Sequence, residues 1–298
     1  MDFGRHATLV AGGLRPNGTG VACFFRLGPT FGAVPNSPVR TRREPPRFGA
    51  VTVARIESLT PRMTRVTLAG DELADLTIDE PAASVRVLLP TPLGTPLVLP
   101  AWNGNEFLLA DGRRPTIRTL TPVRVRAQPF ELDVDVVLHG HGPASEWART
   151  ATTGEAAAVS GPGRGLGPNR DAPAFVIAGD ETAIPAIRQI LETLPGDRPA
   201  EVHVEVAAPD GRQPLPDRPD TNVSWHDLPA GDAPSSTLIA AVRGTKWVDG
   251  AHVWAAGEAA AMQAIRRHLF DDQDMPRART TIRGYWKHGR AGDDDACG

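Results

Sequence analysis

The stretch Glu131-Leu-Asp-Val-Asp-Val-Val-Leu-His-Gly-His-Gly-Pro-Ala-Ser-Glu-Trp147 contains the pattern that best defines the fold of the chain. From Glu131 to Leu138, acidic and apolar residues alternate, which is typical of a β-strand with one face against a core. The chain then passes through Gly140 and Gly142 into a helix predicted over about 143–151, which has a proline in its first turn. The stretch therefore predicts a strand, a glycine turn and a helix.

Short apolar runs with the same period of two occur from about residue 49 to residue 165. Their clearest members are Val51, Val53, Ile56, Met63, Val66, Leu68, Val85, Val87 and Leu89. Turn residues separate the runs, and no long helical pattern interrupts them. Several short strands of this kind predict an antiparallel barrel or sandwich over residues 47–170.

The pattern changes after Pro173. Residues 174–178 form a continuous apolar run, as expected for a strand buried on both faces. Strand-like and helix-like segments then alternate as far as Leu269, which predicts a parallel α/β sheet with right-handed crossovers over residues 171–298. The predicted fold class is thus β-barrel plus α/β, with an antiparallel barrel followed by a parallel-sheet domain.

The composition excludes several classes of protein. The 298 residues carry a net charge of −3, so nucleic-acid binding has no basic charge to support it. Cys23 and Cys297 lie near opposite ends, which leaves no disulfide framework and no cysteine-type zinc site. No apolar run approaches the roughly 18 residues of a membrane span, and no signal peptide is evident, so we expect a cytoplasmic protein with no membrane contact. Residues 1–46 are rich in turn residues without a period, which predicts a disordered or poorly structured extension.

The turn after the strand at residues 131–138 is a candidate anion site. Free backbone N–H groups at the start of a helix attract negative charge, and Gly140 and Gly142 allow a phosphate to approach the backbone. A plain capped helix would show the same spacing, so both interpretations remain open on this motif alone.

Three further segments carry residues suited to ligand binding. Arg118 to Arg124 lies on a predicted barrel strand, where a surface arginine is the simpler explanation. Ala178 to Pro185 follows the buried strand, at the edge where open α/β sheets bind ligands, but it lacks the three-glycine dinucleotide fingerprint. Trp254 to Glu258 repeats the strand–glycine–helix order and should face the same edge.

Taken together and in this order, the segments resemble the siderophore-interacting protein family, FAD-dependent ferric-siderophore reductases related to the ferredoxin–NADP reductase fold. The resemblance covers about residues 48–289. The matching stretches are Arg118-Thr-Leu-Thr-Pro122, Val137 to Ala148, Gly179-Asp-Glu-Thr-Ala-Ile-Pro-Ala186, Trp254-Ala-Ala-Gly-Glu258 and Gly284-Tyr-Trp-Lys287.

The resemblance implies a set of cofactor-binding residues. The flavin ring of FAD would lie against the strand that carries Arg118, Leu120 and Thr121. Its ring or ribityl chain would be flanked by Val137, Leu138 and His139. Its pyrophosphate would be held by Gly142, Pro143, Ala144 and Ser145. NADH or NADPH would meet Gly179, Asp180, Glu181, Thr182, Gly257 and Glu258, and the flavin edge would lie near Tyr285 and Trp286.

The chain departs from the family pattern at one position that bears on flavin binding. The family usually has tyrosine where this chain has Leu120, and an arginine is common near Val123. Leucine packs on a flavin ring but offers no aromatic face. Tyr285, the single tyrosine of the chain, and Trp286 are the candidates to supply the missing ring.

The implied substrate is an anionic ferric siderophore held by cations near the flavin edge. Candidates for this role are Arg113, Arg114, Arg283, Lys287 and Arg290, of which Arg114, Arg283 and Lys287 are the predicted substrate-binding residues. The chemistry belongs to the cofactor, so no catalytic side chain is predicted. His139, His141 and His288 form no closed ligand set, and no metal site is predicted.

Three functions remain open at this point. The first is ferric-siderophore reduction with electrons from NADH, NADPH or a ferredoxin-type donor protein. The second is a general flavin reductase that serves a partner enzyme. The third is a siderophore or flavin binder without catalysis. The siderophore, the electron donor and the oligomeric state are not predicted.

Overall fold

The computed structural model describes residues 47–140 and 142–289. The extension predicted for residues 1–46 lies outside these ranges, as do His141 and Arg290. None of the helices in the described ranges is long and apolar enough to cross a membrane.

The first half of the described chain is an antiparallel half-barrel, as the period-two runs predicted. The elements are β1 (Gly49–Thr60), β2 (Met63–Ala69), β3 (Val85–Leu89), β4 (Ala101–Trp102), β5 (Phe107–Leu108), β6 (Thr116–Leu120), β7 (Pro122–Ala127), β8 (Phe130–Val137), α1 (Pro143–Thr150) and β9 (Ala156–Ser160). The seven-stranded sheet has the order β6-β3-β9-β1-β2-β8-β7, and β4 and β5 form a separate two-stranded ribbon.

Strand β8 is buried on both faces, although its sequence alternates. Leu132 and Val134 are fully buried in the barrel core, as predicted. The acidic residues of the opposite face are also buried, because arginines of neighbouring strands cover them. Asp133 accepts from Arg126 at 2.7 Å, and Asp135 accepts from Arg65, its cross-strand neighbour, at 2.7 and 2.9 Å. Alternation therefore identified the inward face, while ion pairing determined the burial of the outward one.

The second half is a parallel α/β unit, which confirms the predicted fold class. The elements are β10 (Phe175–Gly179), α2 (Ile184–Thr193), β11 (Ala200–Val206), β12 (Thr221–Asp227), α3 (Ser236–Gly244), β13 (His252–Glu258), α4 (Ala259–Arg267) and β14 (Thr280–Trp286). The sheet has the order β12-β11-β10-β13-β14, with every neighbouring pair parallel. A π-helical turn, His268–Asp272, continues α4.

Strand β14 was not predicted from the apolar pattern. It is an edge strand of the sheet, and only Ile282 among its residues is buried. An edge strand with one covered residue leaves little periodicity to read. The strand nevertheless brings Tyr285 and Trp286 to the carboxyl edge of the sheet.

The strand order creates a switch point at the centre of this sheet. Successive strands run outward from β10 on one side and from β13 on the other, so the turns after these two strands diverge. Helix α2 packs on the sheet face that meets the half-barrel, where Met63 and Val137 join its apolar cluster. Helices α3 and α4 cover the opposite face. The switch point therefore opens beside the turn between β8 and α1.

Candidate functional site

A cleft of about 500 Å³ lies between the half-barrel and the carboxyl edge of the parallel sheet. Its walls come from the β1–β2 turn, the β8–α1 turn, the segments after β10, β11 and β12, and the end of β14 with the residues that follow it. The lining residues are Arg62, Val137, His139, Gly140, Gly142, Asp180, Glu181, Thr182, Glu205, Ala207, Leu228, Pro234, Trp286, Lys287, His288 and Gly289. Three of the five segments that the motifs singled out, at residues 137–148, 179–186 and 284–287, thus contribute to one cleft.

The N-terminus of α1 opens onto this cleft without a side-chain cap. The N-cap residue is Gly142, which has no side chain that could accept from the first-turn N–H groups. The next residue, Pro143, has no N–H. The hydroxyl of Ser145 donates to the carbonyl of Val137 at 2.8 Å and accepts from the N–H of His139 at 3.0 Å. The serine thereby holds the turn in shape and leaves the first-turn N–H groups to a ligand. An uncapped helix start lined by glycine fits a phosphate group.

Asp180 joins three of the predicted segments. Its Oδ1 accepts from the backbone N–H of Thr182 at 2.9 Å, and its Oδ2 accepts from the N–H of Glu258 at 3.0 Å and from the indole N–H of Trp286 at 2.7 Å. Burial raises the pKa of the Asp180 carboxyl, while the hydrogen bonds from Thr182 and Trp286 act in the opposite direction. A side chain at Gly257 would place its Cβ 2.6 Å from Oδ2, so the turn after β13 requires glycine.

The two aromatic residues at the end of β14 contact the half-barrel. The ring of Trp286 lies 5.3 Å from the ring of His139, tilted by 32°. The hydroxyl of Tyr285 hydrogen-bonds the side chain of Thr121, and burial raises its pKa to about 12. Leu120 packs against the barrel core. Both candidate rings are therefore next to the segments expected to hold the flavin.

Arg62 is a cleft residue that no sequence motif indicated. It lines the cleft from the β1–β2 turn, and its Nε and Nη2 donate to both carboxylate oxygens of Glu181 at 2.9 to 3.1 Å. Glu181 also accepts from the N–H of Ala207 at 3.2 Å. A Pro-Arg turn between two strands has no local signal of such a role, since its partner lies 119 residues away.

Glu205 is the second residue that was missed. It is buried at the end of β11, where its carboxylate accepts from the backbone N–H groups of Ser235 at 2.6 Å and Thr237 at 3.0 Å. Glu258, which was predicted, does the same at α4 and accepts from the N–H of Ala261 at 2.9 Å. Buried glutamates thus satisfy the first turns of α3 and α4.

The predicted residues divide into two groups by position. The cleft lining includes Val137, His139, Gly142, Asp180, Glu181, Thr182, Trp286 and Lys287. The lining does not include Arg118, Leu120, Thr121, Leu138, Pro143, Ala144, Ser145, Gly179, Gly257, Glu258, Tyr285, Arg114 or Arg283. Four of the second group, Leu138, Pro143, Gly179 and Tyr285, lie directly beside lining residues in sequence.

The predicted cations do not form one cluster around the cleft. Arg118 donates to the carbonyl of Ile117 at 2.7 Å. Arg114 pairs with Glu106 at 2.8 Å, and the arginine side chain is 55% exposed. Arg283 is exposed on β14, outside the cleft lining. Of the three predicted substrate-binding residues, Lys287 alone is among the described residues of the lining.

Comparison with known proteins identifies two family domains in the chain. Residues 52–166 match the siderophore-interacting FAD-binding domain, and residues 172–289 match the siderophore-interacting protein domain. An uncharacterized protein of Mycobacterium tuberculosis, Rv2895c, is 34% identical over 266 residues, which cover 81% of this chain and 90% of that protein. The ferric vibriobactin reductase ViuB of Vibrio cholerae is 29% identical over 243 residues, 79% of this chain and 88% of ViuB.

A solved structure agrees with these matches. The crystal structure of a siderophore utilization protein from T. fusca superposes with a TM-score of 0.73 at 32% identity, and the match covers 84% of this chain and 96% of that one. The resemblance inferred from the five motifs is thereby confirmed. With an FAD-binding domain followed by the second family domain, in the order that the motifs predicted, the chain belongs to the siderophore-interacting protein family.

Proposed function

We propose that this protein is an FAD-dependent reductase that releases iron from ferric siderophores. The observation that carries the proposal is the cleft itself, in which an uncapped helix start, a sheet switch point and the indole of Trp286 meet in a chain of this family. The name of its relative ViuB, a ferric vibriobactin reductase, supports the same chemistry. In this proposal the half-barrel domain, residues 47–170, binds FAD, and residues 171–298 form the side that receives electrons.

The residues of the first domain would bind and orient the cofactor. The backbone N–H groups of Ala144 and Ser145 would hold the pyrophosphate, because the helix dipole favours negative charge there and no side chain occupies the cap. Thr121 and Leu120 would flank the ring, with the Thr121 side chain already fixed by Tyr285. Arg118 would interact with the phosphate region.

The chemistry that FAD supplies when bound is the acceptance of a hydride and the release of its electrons one at a time. The chain needs no proton-transferring side chain for iron release, since Fe(II) is bound by hard oxygen donors far less tightly than Fe(III). Trp286 would cover the flavin edge, and Lys287 would contact the ferric chelate from the rim of the cleft. The electrons would come from NADH or NADPH at the switch point or from a ferredoxin-type protein.

Reoxidation of the reduced protein tests the proposal. FAD-loaded protein is photoreduced without oxygen, a ferric siderophore is added, and a ferrous chelator reports the product. We expect the visible flavin absorbance to return as about two ferrous ions form per flavin, because each iron takes one electron. Protein that cannot be loaded with FAD refutes the flavin site. Loaded protein that is not reoxidised by any ferric siderophore refutes siderophore reduction and favours an electron-transfer role for a partner enzyme.

A further inference from the structure

A second cavity, of about 510 Å³, lies between the half-barrel and helix α2. Its walls come from the end of β1, from β2 and β7, from α2 and from the segment after β11. Its lining contains four arginines and one carboxylate, which are Arg65, Arg124, Arg188, Arg212 and Glu192. The proposed function gives this cavity no role.

Two of the four arginines have carboxylate partners of their own. Arg65 donates to both oxygens of Asp135, at 2.7 and 2.9 Å, and Arg212 donates to both oxygens of Asp227 at 2.7 Å. A guanidinium paired in this way presents little charge to a further ligand, because the carboxylate lies beside it. Arg65 and Arg212 therefore contribute little to anion binding.

Arg188, on α2, has no carboxylate of its own. Its Nη1 lies 3.9 Å from Oδ2 of Asp135, beyond hydrogen-bond distance, and Arg65 already binds that carboxylate. Its Nη2 donates to two neutral oxygens, the side-chain oxygen of Gln213 and the carbonyl oxygen of Pro214, both at 3.3 Å. Within the described residues its Nε and Nη1 make no hydrogen bond, and the side chain is 21% exposed. Arg188 therefore keeps both charge and donors for a ligand.

Arg124, on β7, is the second arginine with unused donors. Its side chain lines the cavity and is exposed, and it forms no ion pair or hydrogen bond with the residues that the structure describes. The exposed carboxylate of Glu192 pairs with neither Arg124 nor Arg188 in that part of the chain. Two guanidiniums, one from each half of the chain, thus face the cavity without a carboxylate partner.

The net charge of the cavity is small. Its four guanidiniums are opposed by Glu192 and by the paired carboxylates of Asp135 and Asp227. Glu57, the cross-strand neighbour of Arg65, adds a further carboxylate outside the lining. The cavity is therefore distinguished by its two unpaired guanidiniums and not by a surplus of positive charge.

The walls that carry the two unpaired arginines are fixed to each other. Strand β7 and helix α2 are in contact. The side chain of Gln189, on α2, donates to the carbonyl of Pro122 and accepts from the N–H of Ala82 at 3.0 Å. Leu59 and Val123 add apolar surface to the lining. A preformed cavity of this volume, with apolar walls and a few polar groups, is typical of a small-molecule site.

The two guanidiniums define the kind of ligand. A guanidinium binds a carboxylate or a phosphate through two parallel N–H···O bonds. A carboxylate has oxygens for one such pair, whereas a phosphate monoester has three terminal oxygens and a charge of about −2. We propose that this cavity binds the phosphate monoester group of a small organic molecule, with the phosphate between Arg124 and Arg188 and the organic part against Leu59 and Val123. The proposal does not depend on flavin chemistry in the cleft.

Calorimetric titration of the full chain tests the ligand class. Phenyl phosphate, phenyl sulfate and benzoate are compared at about 20 mM salt, with excess FAD present to occupy the start of α1. We expect phenyl phosphate to bind most tightly, because the sulfate ester has the same three oxygens but a single charge, and benzoate has two oxygens. The affinity for phenyl phosphate should fall when salt is raised to about 300 mM, since attraction between accessible charges is screened.

Charge variants test the location. Arg188→Gln and Arg124→Gln should each weaken phenyl phosphate binding about tenfold, because each removes charge-assisted hydrogen bonds to the ligand. Arg267→Gln is the matched control, since it removes the same charge from an exposed arginine of α4, on the opposite face of the sheet, and it should leave the affinity unchanged.

A variant that gains affinity separates electrostatics from damage to the fold. Glu192→Gln should raise the affinity for phenyl phosphate about threefold at about 20 mM salt, for a carboxylate about 8 Å from the phosphate. Loss of structure cannot produce such a gain, so this variant keeps the test decisive even if Arg188→Gln is unstable.

The 2′-phosphate of NADPH is also a phosphate monoester, and competition separates it from a free ligand. Excess NADPH displaces phenyl phosphate if the bound group belongs to the nucleotide, whereas NADH, which lacks this phosphate, does not. If neither nucleotide displaces phenyl phosphate, the ligand is a separate molecule. Both results support the phosphate site. Displacement by both nucleotides would instead place the binding in the cleft and overturn the proposal.

Four further results would overturn the proposal. They are no binding of phenyl phosphate, equal affinities for the three anions, an equal loss of affinity in Arg267→Gln, or weaker binding in Glu192→Gln.

Discussion

The ion pair between Arg62 and Glu181 should stabilise the junction between the half-barrel and the parallel sheet. Arg62 belongs to the β1–β2 turn and Glu181 to the turn after β10, and their side chains are 31% and 9% exposed. Arg62→Gln would leave a nearly buried carboxylate with one remaining donor, the N–H of Ala207. Breaking a buried pair in this way costs about 3–5 kcal/mol, and the partial exposure of Arg62 reduces the expected loss to about 2 kcal/mol.

A double-mutant cycle measures this interaction. Arg62→Gln, Glu181→Gln and the double variant are unfolded in urea with tryptophan fluorescence as the probe, and we expect a coupling free energy of about 1.5–2.5 kcal/mol. The same loss should lower the melting temperature of Arg62→Gln by about 4–8 °C. The matched control is the exposed pair Arg114–Glu106, which has a similar distance of 2.8 Å and an expected coupling below about 0.5 kcal/mol. Equal coupling energies for the two pairs would refute the reasoning.

Three further predictions concern the switch point, the sheet and the cofactor turn. Gly257→Ala would place a Cβ 2.6 Å from an oxygen of Asp180, and it should lower the free energy of unfolding by more than about 1 kcal/mol. The control Gly244→Ala, with open space around it, should cost less than half as much. Burial lowers the pKa of His252 to about 4, so the unfolded chain takes up a proton at this histidine before the folded protein does. The free energy of unfolding should therefore fall as pH drops from about 6.5 towards 4, by up to about 1.4 kcal/mol per pH unit. An unchanged slope of unfolding free energy against pH in His252→Asn would contradict this. Ser145→Ala removes two hydrogen bonds in the β8–α1 turn and should cost about 1–2 kcal/mol and speed FAD dissociation in a dilution assay; an unchanged dissociation rate would exclude a role for the serine in shaping the site.

Local patterns predicted the elements that are buried or strictly periodic. Strand β10 was recognised from a continuous apolar run because it is central in the sheet and covered by helices on both faces. Strand β8 was recognised from its alternation. Edge strand β14, with Ile282 as its one buried residue, had too weak a pattern for recognition. Predictability thus followed how completely each strand is covered.

The candidate site was predictable as a set of segments but not as a set of contacts. The motifs identified the turns after β8, β10 and β13, since glycine and polar residues directly after apolar strands are local features. Arg62 and Glu205 were missed because their roles depend on partners far along the chain, Glu181 and the first turn of α3. The predicted substrate-binding cations were chosen without knowledge of their partners, such as Glu106, which pairs with Arg114.

The amino-acid sequence by itself determined the fold class, the order of its two halves and the family, because periodicity and short motifs are properties of neighbouring residues. Tertiary structure alone decided where charge is compensated. Asp135 is buried because Arg65 covers it, Arg62 is compensated by Glu181, and the indole of Trp286 is held by Asp180. Coulomb energy and desolvation depend on distances between residues that are remote in the chain, so these ion pairs and hydrogen bonds became readable only once the chain was folded.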